Sequence, residues 1–111
     1  MKKNILLTIS LITVLTASAQ DSVSVLFIGN SYTYVNNMPL MVEDLATSLG
    51  DVVNQSSQTA GGATFQTHAN NAATYTAINS KPWDFVVLQA QSQEPSFPDT
   101  QVDTQTLPYG M

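Results

Sequence analysis

The stretch "SVSVLFIG", residues 22–29, places apolar side chains at four consecutive positions from Val25 to Ile28 before a glycine stops it. A strand of this kind has no face to give to water, so it belongs inside a sheet covered on both sides, the usual setting of parallel strands. "DVVNQSSQT" reads as a second, more polar strand leading to Gly61-Gly62, and "WDFVVLQAQ" as a third with Phe85 to Leu88 as its apolar run. Helical spacing fills the gaps. In "MPLMVEDLATSLG", Pro39 suits a first turn, Leu40, Met41, Leu45 and Leu49 recur at helical spacing, and Gly50 sits where a C-cap glycine belongs. Met38 and Met41 are expected in the core. "ATFQTHANNAATYTAIN" reads as a second helix weakened by threonines and paired asparagines. From Glu94 onward, Pro95, Pro98, Pro108 and polar residues predict an irregular segment. The order β-α-β-α-β predicts a parallel sheet with right-handed crossovers.

The first 19 residues stand apart from this pattern. Lys2-Lys3, an apolar run from Ile5 to Leu15 and Ala17-Ser18-Ala19 have the layout of a signal peptide cleaved before Gln20. The expectation is a signal peptide over 1–19 and a secreted or periplasmic chain over 20–111. The apolar run is shorter than the roughly 20 residues a bilayer span needs, and without cysteine no lipid anchor can form at the cut, so no membrane anchor is expected. After cleavage, eight acids face Lys81 alone, a formal charge of −7, with no arginine. A phosphate backbone is bound by clustered Lys and Arg, so nucleic acid is excluded as a partner. The absence of cysteine also rules out disulfide staples in a domain this small.

In open parallel sheets, chemistry gathers at the carboxyl ends of the strands. Those ends are "GNSYT", "TAGG" and "QAQSQEP", the most polar and glycine- or amide-rich points of the chain. Ser31, two residues past the strand-ending Gly29, can raise its hydroxyl above the sheet edge beside a following helix start. Gly-Asn-Ser is equally an ordinary turn. Gly61-Gly62 lets a backbone approach a ligand with free N–H groups, or simply turns into a helix. Gln89, Gln91 and Gln93 can donate hydrogen bonds to a developing negative oxygen, or form one polar strand face. The lone histidine, His68, falls within the second helix pattern, too deep to reach the sheet edge as a base.

Taken together, "FIGNSYT", "TAGGATF" and "WDFVVLQAQSQEP" resemble the first three sequence blocks of the SGNH (GDSL-type) hydrolases, in order and spacing, over roughly residues 23–98. Asn30 stands where the family has aspartate before the serine. The nearest likeness is to a secreted subgroup with GNS in its first block. The resemblance implies an α/β fold, a flavodoxin-like three-layer parallel sheet of strand order 2-1-3, truncated before its last strands. It implies a serine esterase or deacylase with Ser31 as nucleophile. The oxyanion would be held by the backbone N–H of Ser31, that of Gly62 (or Gly61), and the amide of Gln93 or Gln91. The substrate would be a small-molecule or carbohydrate ester, with no cofactor and no metal. The family's base lies in a late Asp-x-x-His block of a domain of roughly 200 residues, and no Asp here has a His three positions on. Residues 20–111 are thus expected to be the N-terminal part of such a domain, weakly active or inactive alone. The rival readings are a non-catalytic glycan-binding module and a structural exported protein. With the free edge of its third strand uncovered, such a fragment is expected to be marginal, prone to self-association through that edge, or partly disordered.

Overall fold

A computed structural model describes residues 21–110; the proposed signal peptide lies outside them. The apolar run of residues 25–28 becomes the centre of the fold. Strand β1 (Ser22–Gly29) pairs in parallel with β2 (Val52–Thr59), from Ser22 opposite Val52 to Gly29 opposite Thr59. On its other side it pairs in parallel with β3 (Phe85–Leu88), Val25 opposite Phe85 and Ile28 opposite Leu88. The order β2-β1-β3 is that of a flavodoxin-like α/β sheet. Val25, Leu26, Phe27 and Ile28 are all buried, which requires cover on both faces.

Right-handed crossovers that first leave β1 for β2 and then return across it to β3 lay their helices on opposite faces. The first connection contains the single turn α1 (Ser31–Tyr34) and α2 (Met38–Ser48). Pro39 in the first turn of α2 is buried, and Gly50 after it takes a left-handed φ of 88° that closes the helix. The second connection contains α3 (Phe65–Ala69) and α4 (Ala72–Ile78), not one helix. The break falls at the paired asparagines: Asn70 ends α3, and the Asn71 side chain accepts from the Ala73 N–H at 2.9 Å to start α4. Thr64 and Thr67 form a reciprocal capping box at the start of α3.

Two expectations fail. The segment after Glu94 is largely helical, with a 3₁₀ turn (Glu94–Ser96), α5 (Asp99–Gln101), a π-helical turn (Val102–Thr106) and α6 (Leu107–Gly110). Pro95 and Pro98 sit at or just before the first turns, where a missing N–H costs nothing. Second, α2 does not bury its apolar stripe. Met38 is half-buried, but Met41, Leu45 and Leu49 are exposed, Leu49 at 73 %. All four residues of β3 are exposed as well. No helix among the described residues is long and apolar enough to cross a membrane.

Candidate functional site

At the carboxyl edge the three strand ends are joined by buried polar groups rather than by apolar packing. Asn30, 2 % exposed, is the junction. Its Oδ1 accepts from the Tyr32 N–H at 3.1 Å, the N-cap bond that starts α1. Its Nδ2 donates to the Ala63 carbonyl at 3.1 Å, tying the serine turn to the glycine turn. Its backbone N–H donates to Gln89 Oε1 at 2.9 Å, tying both to the end of β3. The same Gln89 oxygen accepts from the buried Thr33 hydroxyl at 3.0 Å. Gln89 lies across Gly29, where any Cβ would come within 3.0 Å of both Gln89 Oε1 and Thr33 Oγ1. Glycine ends β1 because this amide lies over it.

Ser31 follows at once, half-buried, its hydroxyl making no hydrogen bond among the described residues. The N–H groups of Ser31, Gly61 and Gly62 are likewise unbonded there. Gly62 has a φ of 68° and open space where a side chain would point, whereas Gly61 faces the Tyr34 hydroxyl. The Asn30–Ala63 bond therefore brings the serine turn and the glycine turn to one edge. Ser31, Tyr32, Val35 and Asn36 border a hollow of about 340 Å³. The helix behind Ser31 is only the four residues of α1, too short to build the dipole expected there, and α2 begins seven residues later. What remains at the serine is its own unbonded N–H, and neither Gly61 nor Gly62 lines the hollow beside it.

Gln91 and Gln93 lie farther along and bond to their own turn. Gln91 Oε1 accepts from the Gln93 N–H at 2.7 Å, and Glu94, 3 % exposed, accepts through Oε2 from the Gln91 N–H at 2.9 Å. Neither glutamine side chain bonds to residues 30–33. Sequence reasoning noticed Gln89 only as one of three alternating amides. The signal it lacked was register, which sets Gln89 beside the side-chain-free Gly29.

His68 is buried at 4 % and lies in the last turn of α3. Nε2 lies 2.9 Å from the Gly29 carbonyl and Nδ1 lies 3.1 Å from the Thr74 hydroxyl. A carbonyl only accepts, so Nε2 carries the proton, and the Thr74 hydroxyl donates to Nδ1 in the neutral ring. Both nitrogens are engaged away from the Ser31 hydroxyl, so this histidine is no base for it. Among the described residues no group of three His, Cys, Asp or Glu is placed to hold a metal ion.

At the opposite edge, Asp84 Oδ2 accepts from both the N–H and the hydroxyl of Ser24, each at 2.7 Å. The backbone bond first, the hydroxyl bond next and, less, nearby Lys81 hold its carboxyl below the ordinary carboxylate range. Lys81 also stands over the Trp83 ring, 4.2 Å from its centre. The only cation of the described residues thus lies at the far end of the sheet from Ser31.

The fold and edge define a class: a parallel α/β layer with a serine and unbonded backbone donors at the carboxyl ends of its strands. Compared with family models, curated proteins and solved structures, the chain finds no match.

Proposed function

We propose that this chain carries the nucleophile side of an exported serine ester hydrolase of the SGNH type. The carrying observation is the Ser31 hydroxyl, unbonded and half-exposed, fixed next to Asn30, whose amide also holds the glycine turn. In this reading Ser31 Oγ attacks the ester carbonyl and gives its proton to a base, forming a tetrahedral oxyanion. The N–H groups of Ser31 and Gly62, with the amide of Gln93 or Gln91, receive that charge. Collapse breaks the C–O bond as the base returns that proton to the leaving oxygen, so the alcohol departs and an acyl-serine is left for water to cleave. Of the two glutamines, Gln91 has its Oε1 already used by the Gln93 N–H, which leaves its NH₂ end to donate. Because His68 is engaged elsewhere, the described residues supply no base, and donors alone sustain only about 10³-fold acceleration over water.

One observation favours a second reading, a glycan-binding edge without chemistry. Tyr32, 72 % exposed, borders the hollow beside Ser31 and offers a flat ring to a sugar face. A fluorophosphonate probe separates the two. The hydrolase reading expects phosphonylation of Ser31, absent in Ser31→Ala, and faster p-nitrophenyl acetate turnover when a downstream Asp-x-x-His block is included. An unlabelled Ser31 in that longer form would overturn it.

A further inference from the structure

We infer that His68 is a positioning residue for Ser31, acting through the peptide bond that joins Gly29 to Asn30. Each side of that peptide is held. Its carbonyl accepts from His68 Nε2–H at 2.9 Å and from the Ala60 N–H at 3.3 Å, and its N–H donates to Gln89 Oε1 at 2.9 Å. Rotation of this plane would swing Asn30 and, with it, the Ser31 hydroxyl and N–H. The Ala60 bond is long, so the imidazole is the shorter of the two restraints on the carbonyl. His68 is itself restrained. The Gly29 carbonyl, which can only accept, requires the proton on Nε2, and the Thr74 hydroxyl, buried in the first turn of α4, lies 3.1 Å from Nδ1 and holds the ring from its other side. The chain of contacts runs from α4 through α3 to the last residue of β1. It lies beneath the edge at which substrate would sit and touches no reacting atom.

The reach of the imidazole matters more than its basicity, so a glutamine, whose Nε2 extends about as far and donates equally well, should replace it. The kinetic part of this inference rests on the hydrolase reading; the structural part does not. Nitrogen NMR on the unaltered chain should show a proton on His68 Nε2, and a bare Nε2 would overturn the inference. In His68→Ala the amide resonances of Asn30 and Ser31 should move while that of Ser24, at the far edge, stays. In His68→Gln they should return towards their original positions. If His68→Gln behaves like His68→Ala, or Ser24 moves as much as Ser31, the residue merely packs the core and the inference falls. On p-nitrophenyl acetate, kcat should drop about tenfold in His68→Ala with KM nearly unchanged, as misplacement of a reacting group predicts, and His68→Gln should recover most of it. If Ser31 is inert even in a longer form that includes an Asp-x-x-His block the hydrolase reading fails, and the amide shifts still decide the role of His68. The tautomer and the glutamine variant decide it should His68→Ala not fold.

Discussion

Replacing Asn30 by aspartate installs the residue that SGNH hydrolases carry before their serine, and the structure predicts that this chain will not tolerate it. Asn30 uses its amide at both ends: Oδ1 caps α1 and Nδ2 donates to the Ala63 carbonyl. An aspartate keeps the cap, and its charge strengthens it. Its other oxygen then faces a carbonyl at the 3.1 Å where a donor had been. The lost bond and the stranded carbonyl cost about 1–3 kcal/mol. The carboxylate is also buried, with Lys81 at the other end of the sheet, and an uncompensated buried charge costs about 3–5 kcal/mol. Setting the better cap, worth about 1 kcal/mol, against these terms leaves a net loss of about 3 kcal/mol or more at neutral pH. A domain of this length has only about 5–13 kcal/mol in all.

The loss has a pH signature. The folded state raises the pKa of this aspartate above its unfolded value of about 3.9. Below that value the acid is protonated in both states, and its O–H can donate to Ala63 in place of the amide. As pH rises through 3.9 the unfolded state ionises first, and the penalty grows until the folded pKa is passed. Urea unfolding followed by the fluorescence of Trp83, the sole tryptophan, measures the gap between Asn30→Asp and the unaltered chain. The gap should be widest near pH 7 and should narrow towards pH 4. Equal stability at pH 7, or a gap independent of pH, would refute the assignment of Nδ2 to Ala63.

Gly29→Ala should destabilise by about 2 kcal/mol through overpacking, because its Cβ meets Gln89 Oε1 and Thr33 Oγ1; in a Thr33→Ala, Gln89→Ala background the added cost measured by urea should largely vanish. Asp84, whose carboxyl the Ser24 bonds hold below the ordinary range, contributes stability that is complete above its unfolded pKa of about 3.9 and is lost as pH falls through the lower folded value. Asp84→Asn should accordingly flatten the acid side of the stability curve, and an unchanged profile counts against the Ser24 bonds. The exposed, apolar β3 should pair between copies, so sedimentation should show concentration-dependent association that Val87→Lys reduces; association untouched by that change places the contact elsewhere.

What the sequence disclosed was periodicity. An unbroken apolar run can only be an inner strand, and β1 is one. Alternating helical patterns require crossovers, and the order β2-β1-β3 follows. The paired asparagines announced a weak point that became a helix boundary. The orientation of α2 could not be read in the same way, because helical spacing names a stripe but not what lies opposite it. Whichever face its neighbour β2 turns to it carries an amide and a serine, Asn54 with Ser56 or Gln55 with Ser57, a poor surface for Met41, Leu45 and Leu49, and of α2 only Pro39 is buried. The contacts that fix Ser31 were the least legible, since each spans a long stretch of chain: 33 residues from Asn30 to Ala63, 39 from Gly29 to His68, 59 from Asn30 to Gln89. No local pattern encodes such a pairing. It appears only when the parallel register has placed Gly29 beside Gln89 and the glycine turn beside the serine turn. The same fact explains why polar bonds rather than apolar packing hold this edge. A parallel sheet slipped by one residue could still bury many of its apolar groups, but it would strand Asn30, Gln89 and His68 without partners. The network that places Ser31 is thus also what selects one register for the sheet.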